Sequence, residues 1–248
     1  MKNSVIIIPS RLAAKRFPNK PLATINGLPM IVHVLNRAKE SNIGKVLVAT
    51  PDNEIFKIVE KNGGEAFLTK GIHASGSDRI FEAFNEKFKN NADLIINLQG
   101  DMPNINPQSI LNLEKNMRKS GSDIGTLASV LDEGDVENSN VTKVLVEADL
   151  TNDNFIEAKD FFRIKKDLKN HKIYHHIGIY AFTNDALTKY VRFPRSKLEK
   201  ERDLEQMRAM ENNMIIKVAL SDSVPLGVDT EEGLKKVSEE MKKYDRKN

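Results

Sequence analysis

The chain has 248 residues, 40% of them hydrophobic and 29% charged, which suits one large α/β domain or a main domain with a small lobe. It has no cysteine, which excludes disulfides and any thiolate nucleophile or metal ligand. No apolar run approaches the roughly 20 residues that span a bilayer, and a net charge of +3 does not by itself mark a nucleic-acid protein. The N-terminus enters an apolar segment almost at once, leaving no room for a signal peptide, and a cytoplasmic enzyme is expected.

Charge is unevenly spread. Residues 1–39 hold seven cations and no acid, so the remainder carries a net −4. An anionic ligand is expected near the start of the chain. The first strand, 4–8, breaks at Pro9 into a loop carrying Arg11, Lys15, Arg16 and Lys20. Four cations on one loop can neutralise a triphosphate, and arginine can grip its oxygens through paired hydrogen bonds. Pro18 and Pro21 restrict the backbone around Lys20. The loop lacks both GxxxxGK[ST] and GxGxxG, so neither a P-loop nor a dinucleotide fingerprint is present. Read alone, it fits a phosphate cradle, a nucleic-acid contact or a solvated basic loop.

Further strands are expected at 45–50, 94–98, 124–131, 142–147, 177–182 and 215–220. Between several of them run helical patterns. Pro29 suits a first helical position ahead of Ile31, Val34, Leu35 and Ala38. Asp52 is placed to cap a helix bearing Ile55, Ile58 and Val59; Ser77 or Asp78 is placed to cap one bearing Ile80, Phe81, Phe84 and Phe88. Thr230 precedes a final amphipathic helix carrying Leu234, Val237 and Met241, acidic in its first turn and basic at its end. The polar stretch 149–173 reads as an irregular flap or lobe. Strands alternating with helices predict a mainly parallel sheet covered on both faces. Ligands of such sheets sit beyond the carboxyl ends of the strands.

Three loops fall at such ends. In LQGDMP, Asp101 follows a buried strand, where a carboxylate can ligate Mg²⁺ and Gly100 lets the backbone approach a ligand; a simple Gly-Asp turn fits equally. In HASGSDR, Ser75 and Gly76 stand at a helix start with Arg79 on the first turn, a place that suits an anion. In GVDT, Asp229 offers a second strand-to-helix carboxylate that could complete a Mg²⁺ site with Asp101. The five histidines show no zinc-site spacing.

The ordered set PSRLAAKRFPNKPL, GLPMIVHV, HASGSDRI, LQGDMP, NVTKV, HHIGIY, LEQMRAMENNMIIKVAL and PLGVDT resembles the 3-deoxy-manno-octulosonate cytidylyltransferases, the CMP-Kdo synthetases, from about residue 4 to 240. The resemblance implies a Rossmann-like nucleotide-diphospho-sugar transferase fold with a mainly parallel central sheet flanked by helices. It implies a single domain over 1–248, with about 149–173 and 184–212 forming a lobe for the sugar pocket and dimerisation. The implied reaction transfers CMP from CTP to the anomeric hydroxyl of Kdo, an acidic eight-carbon sugar, for lipopolysaccharide synthesis. Mg²⁺ is the implied cofactor and a homodimer the implied assembly. By the same resemblance Arg11, Arg16 and Lys20 bind the triphosphate, and Ser75, Gly76, Arg79, Gln99 and Gly100 surround the nucleotide. Asp101 and Asp229 match the metal-binding aspartates, so that Arg11, Lys20, Asp101 and Asp229 form the catalytic set. Arg163, His176, Glu205 and Gln206 match positions lining the sugar pocket, with Arg163 suited to the sugar's carboxylate. Segment 161–166 lacks the hydroxyl and proline of that family's pattern, which leaves open another acidic sugar (8-amino-Kdo or one like sialic acid) or a non-catalytic nucleotide-binding relative. Nucleic acid and membrane are not expected partners.

Overall fold

The structure is a computed structural model that describes residues 3–13, 17–89, 91–164 and 172–245. In chain order its elements are β1 (Ser4–Pro9), β2 (Thr24–Ile25), β3 (Leu28–Pro29), α1 (Met30–Glu40), β4 (Gly44–Thr50), α2 (Asn53–Lys61), β5 (Glu65–Leu68), α3 (Gly76–Lys87), β6 (Leu94–Asn97) and α4 (Pro107–Ser120). There follow β7 (Ile124–Ser129), β8 (Lys143–Val146), β9 (Ile156–Phe162), β10 (Lys172–Thr183), α5 (Asn184–Tyr190), α6 (Lys197–Arg202), α7 (Gln206–Glu211), β11 (Ile216–Leu220) and α8 (Glu231–Asp245). Among the described residues no helix is long and apolar enough to cross a membrane. The chain divides into two compact units, 1–111 with 225–248, and 112–224.

In the first unit the strands run β5-β4-β1-β6, all parallel. Ile6, Ile7 and Ile8 in β1 and Ile95 and Ile96 in β6 are sealed from solvent, as expected of strands covered on both faces. The order steps backward from β1 through β4 to β5, and forward from β1 to β6. The strand order therefore reverses between β1 and β6, the kind of switch point beyond whose carboxyl ends open parallel sheets form their ligand crevice. A separate apolar cluster of Ile25, Met30, Val228, Val237 and Met241, with Phe17 and Leu234 packed on it, ties the β2–β3 hairpin and the start of α1 to α8. That cluster brings the last helix of the chain to the first loop.

In the second unit β7 pairs with β10 antiparallel and with β11 parallel, while β9 runs antiparallel to both β11 and β8. β8 also pairs antiparallel with β10, and β10 is irregular between Ile177 and Tyr180. The parallel α/β sheet expected from sequence is thus the first unit; the second adds a mostly antiparallel set.

Four local expectations change. Helix α1 starts at Met30 with Pro29 as its N-cap rather than its first residue. Helix α3 is capped by Ser75, whose Oγ accepts from the Asp78 N–H, not by Ser77 or Asp78. Asp52 holds the N-cap position of α2 without a side-chain cap bond, because its carboxylate is engaged elsewhere. The stretch 149–173, expected to be irregular, contains strand β9, whose alternating partners on β8 and β11 outweigh its polar composition. Thr230, just before α8, accepts at its Oγ from the Gly233 N–H at 3.1 Å.

Candidate active site

The loop after β1 is pinned at several points. The Ser10 N–H continues the β4 ladder by donating to Ala49 O at 3.0 Å. The Leu12 N–H donates to Asp52 Oδ2 at 2.8 Å, and the Asn19 N–H to Leu12 O at 3.1 Å, closing the loop on itself. Asn19 adopts a left-handed conformation (φ 57°) that starts a short 3₁₀ turn over Lys20–Leu22, with Pro21 buried beneath it. Arg11 is exposed on this loop. Lys15 and Arg16, expected to add charge and triphosphate contacts, lie outside the described residues.

Gly100 follows β6 at the other side of the crevice. A side chain there would place its Cβ 3.0 Å from Pro9 O, a tight contact that glycine at residue 100 avoids as the turn carrying Asp101 approaches β1. Asp229 arrives from the far end of the chain. Its neighbour Val228 is wholly buried in the α8 cluster and donates its N–H to Asp101 O at 3.1 Å. Packing and one backbone bond therefore hold the two aspartates side by side.

Lys20 completes the constellation. Its Nζ donates to Asp101 Oδ2 at 3.0 Å and to Asp229 Oδ1 at 3.2 Å. The lysine side chain is 14% exposed, and the two aspartates are 32% and 48% exposed. An ammonium held by both carboxylates shows that the pair converges on a single cation. Among the described residues, no group of three or more histidines or acids could hold a metal ion. Two carboxylates with an open side suit Mg²⁺, which keeps several waters and takes its remaining ligands from substrate phosphates.

Around the crevice, Ser75 spends its hydroxyl on α3, donating to Asp78 Oδ2 at 2.8 Å. Gly76 packs against the Pro9 ring and near Gln99 Oε1. Gln99 donates to Asn97 Oδ1 at 3.1 Å. Arg79 is buried, and its Nη1 donates to Thr69 Oγ1 at 2.6 Å. Burial first, and the like charge of Arg11 second, push the Arg79 guanidinium below its ordinary pKa, with Asp52 and Glu82 opposing. Two like-charged guanidinium groups near enough to repel one another would both gain from an anion bound beside them. Lys20, Arg11, Arg79, Gln99, Gly100, Asp101 and Asp229 thus all belong to one unit, and Lys20, Asp101 and Asp229 are in direct contact.

The four expected sugar-pocket residues lie in the second unit. Arg163 follows β9; its Nη1 donates to Ser139 O and Asn140 O, both at 3.3 Å. His176 is a buried strand residue with its ring edge-on to Phe161, centroids 4.9 Å apart. The Thr126 hydroxyl lies 3.0 Å from His176 Nε2 and 2.7 Å from Ile179 O. Its single proton goes to that carbonyl, so Nε2 carries the histidine's proton and donates. Burial, with His175 second, pushes the His176 pKa down to about 3, and the ring is neutral. Glu205 and Gln206 stand at the start of α7. Glu205 O accepts from the Tyr190 hydroxyl at 2.9 Å. Gln206 is buried with its Nε2 unpartnered among the described residues, a donor without an acceptor.

Three supporting residues were missed at the level of sequence. Asp52, placed by sequence to cap α2, instead clamps the loop after β1. Lys143, 1% exposed inside β8, donates to Asn138 O at 2.7 Å and to Arg163 O at 2.6 Å, and its burial lowers its pKa. A lysine in the middle of the apolar run VTKVLV was the signal. Arg208 makes a two-pronged ion pair with buried Glu199, at 2.8 and 2.7 Å, and stacks on Tyr190.

A reversing parallel sheet with a cationic loop on one strand end and an acid pair beside it defines a nucleotide-using α/β transferase. The comparisons narrow the class. The family model described as cytidylyltransferase matches residues 5–217. A protein of Bartonella tribocorum named 3-deoxy-manno-octulosonate cytidylyltransferase is 43% identical over 237 residues, 94% of this chain and 96% of that one. A protein of the same name from Brucella ovis is 42% identical over 233 residues, covering 93% and 92% of the two chains. A solved structure described as CMP:2-keto-3-deoxy-manno-octonic acid synthetase complexed with CTP superposes with TM-score 0.88 at 33% identity, over 98% of this chain and 100% of that one. The chain belongs to the 3-deoxy-manno-octulosonate cytidylyltransferase family of the cytidylyltransferases.

Proposed function

We propose that this chain transfers CMP from CTP to the anomeric hydroxyl of 3-deoxy-D-manno-octulosonate, releasing pyrophosphate and supplying CMP-Kdo for lipopolysaccharide synthesis. The observation that carries the reading is the meeting of Lys20, Asp101 and Asp229 at the sheet's reversal point, in a chain of this family.

The reaction asks little covalent work of a protein. An acceptor hydroxyl attacks the α-phosphorus in line while pyrophosphate departs, so positioning and charge neutralisation dominate. Arg11, Arg16 and Lys20 grip the triphosphate and stabilise the leaving pyrophosphate. Arg79 adds positive potential from behind a buried surface. The Gly76 and Gly100 turns and the Gln99 side chain hold the nucleoside, with Ser75 keeping the α3 terminus in shape. Asp101 and Asp229 would hold Mg²⁺, which would supply charge neutralisation at the phosphates and lower the pKa of the attacking hydroxyl. In the second unit, the sugar carboxylate pairs with Arg163, which exchanges two long carbonyl contacts for a charged partner. Gln206 gives its orphan amide donor to a sugar oxygen, beside Glu205. The neutral His176 ring, committed to Thr126 and Phe161, shapes the pocket from within the core. A cytoplasmic homodimer is the assembly this family reading carries.

The test is pyrophosphate release with each nucleoside triphosphate across a panel of acidic sugars, with and without Mg²⁺. Release is expected with CTP and Kdo in the presence of Mg²⁺. No release from that pair at any Mg²⁺ concentration would overturn the reading, and faster turnover of 8-amino-Kdo or a sialic acid would redirect it.

A further inference from the structure

Lys20 does something that triphosphate binding does not require: it sits between the two carboxylates. We propose that Lys20 is the resident counter-ion of the Asp101–Asp229 pair, so that its ammonium and a divalent cation exclude one another there until a nucleotide triphosphate draws Lys20 off. The inference deepens the reading above and rests on it for the identity of the nucleotide.

The geometry supplies each part. Two carboxylates fixed side by side by the Val228–Asp101 backbone bond repel one another unless a cation lies between them. Lys20 provides that cation, within 3.0 and 3.2 Å of the two oxygens and largely shielded from water. The acid pair is therefore kept in its working arrangement by a tethered charge. The lysine backbone is fixed by the left-handed Asn19, the Leu22 N–H bond to Asn19 O at 2.9 Å and buried Pro21. Only the flexible four-carbon stem has to swing to release the aspartates. A triphosphate, carrying several negative charges and accepting charge-assisted hydrogen bonds, is a stronger partner for that ammonium than two half-exposed carboxylates. Its arrival moves Lys20 to the phosphates and opens the pair to the metal. Metal affinity is then low in the free protein and high in the nucleotide complex, a coupling that is reciprocal between the two ligands.

The experiment measures Mn²⁺ binding to the full chain by electron paramagnetic resonance, first without nucleotide. Lys20→Met is expected to bind Mn²⁺ about tenfold more tightly than the unmodified protein, the size that two partly screened ion pairs together supply. Adding CTP should tighten Mn²⁺ binding in the unmodified protein and narrow its difference from Lys20→Met. The double variant Lys20→Met with Asp101→Asn should lose the gain, and circular dichroism reports whether each variant is folded. Unchanged or weaker nucleotide-free Mn²⁺ binding by folded Lys20→Met overturns the proposal. So does an equal gain from Arg11→Met, which would reveal a general field effect, or a gain that survives Asp101→Asn. If CTP and Kdo give no pyrophosphate while the Mn²⁺ contrast holds, the counter-ion role stands and the substrate assignment falls.

Discussion

The two units treat charge in opposite ways. In the first, Lys20 meets Asp101 and Asp229, acids that keep a third to a half of their surface. In the second, several polar groups are sealed and committed: Glu199 to Arg208 and Arg195, His176 to Thr126, Lys143 to two carbonyls. An open ion pair costs little to rearrange and can exchange partners when a ligand arrives, whereas a buried one is expensive to break and so fixes shape. The partly exposed Lys20 pairs are therefore suited to change partners, and the buried Glu199–Arg208 pair to hold its form.

Four experiments break or sharpen that contrast. The largest effect is expected from Asp101→Asn, which should lower kcat by a thousandfold or more, about 4 kcal/mol of transition-state stabilisation, with little change in melting temperature. Near-normal turnover would remove Asp101 from the metal site. Glu199→Gln should do the reverse. It leaves Arg208 buried without its ion-pair partner and should lower unfolding free energy by about 3–5 kcal/mol in urea titrations; a loss below 1 kcal/mol would show the pair to be as dispensable as a surface one.

The third experiment uses pH. The His176 pKa of about 3 lies below its unfolded value, so above the ordinary histidine range the group contributes no pH dependence. As pH falls through the window between the two values, the unfolded chain takes up a proton that the folded chain refuses. Unfolding free energy should then drop by about 1.4 kcal/mol per pH unit from this group alone. Denaturation curves for His176→Gln should be flatter by that slope, and an identical slope would place the titrating group elsewhere. The smallest effect is expected from Arg163→Ala, which should raise the KM for the sugar about tenfold, as loss of one charge-assisted contact does, while leaving the KM for CTP unchanged. An unchanged sugar KM would free Arg163 from the pocket.

The same contrast decides what could be read from sequence. The first unit was legible because its site follows from local rules: a strand, a loop of cations, a Gly-Asp turn and a capped helix each show in a few neighbouring residues. Even so, nothing local shows that Asp229 reaches Asp101; the α8 cluster around Val228 does that, across more than a hundred residues. Ser77 and Asp78 miss the α3 cap by two and three residues because serine and aspartate crowd that segment and each can cap. The second unit was harder. Its antiparallel pairings bring Lys143 to Arg163 and Thr126 to His176, and no periodicity announces such contacts. Segment 149–173 reads as irregular because β9 places Glu157, Lys159 and Asp160 among its seven residues, which breaks a clean apolar alternation.

The chain order of the units has a consequence for synthesis. Residues 112–224 form one uninterrupted unit, whereas the first is split, with 225–248 made last. Domains tend to fold as units while the chain is still emerging. The first unit therefore cannot close until both of its pieces are present, because Asp229 and the Val228 bond that aligns it come from the second piece. Until 225–248 packs in place, Lys20 has Asp101 but not Asp229 as a partner.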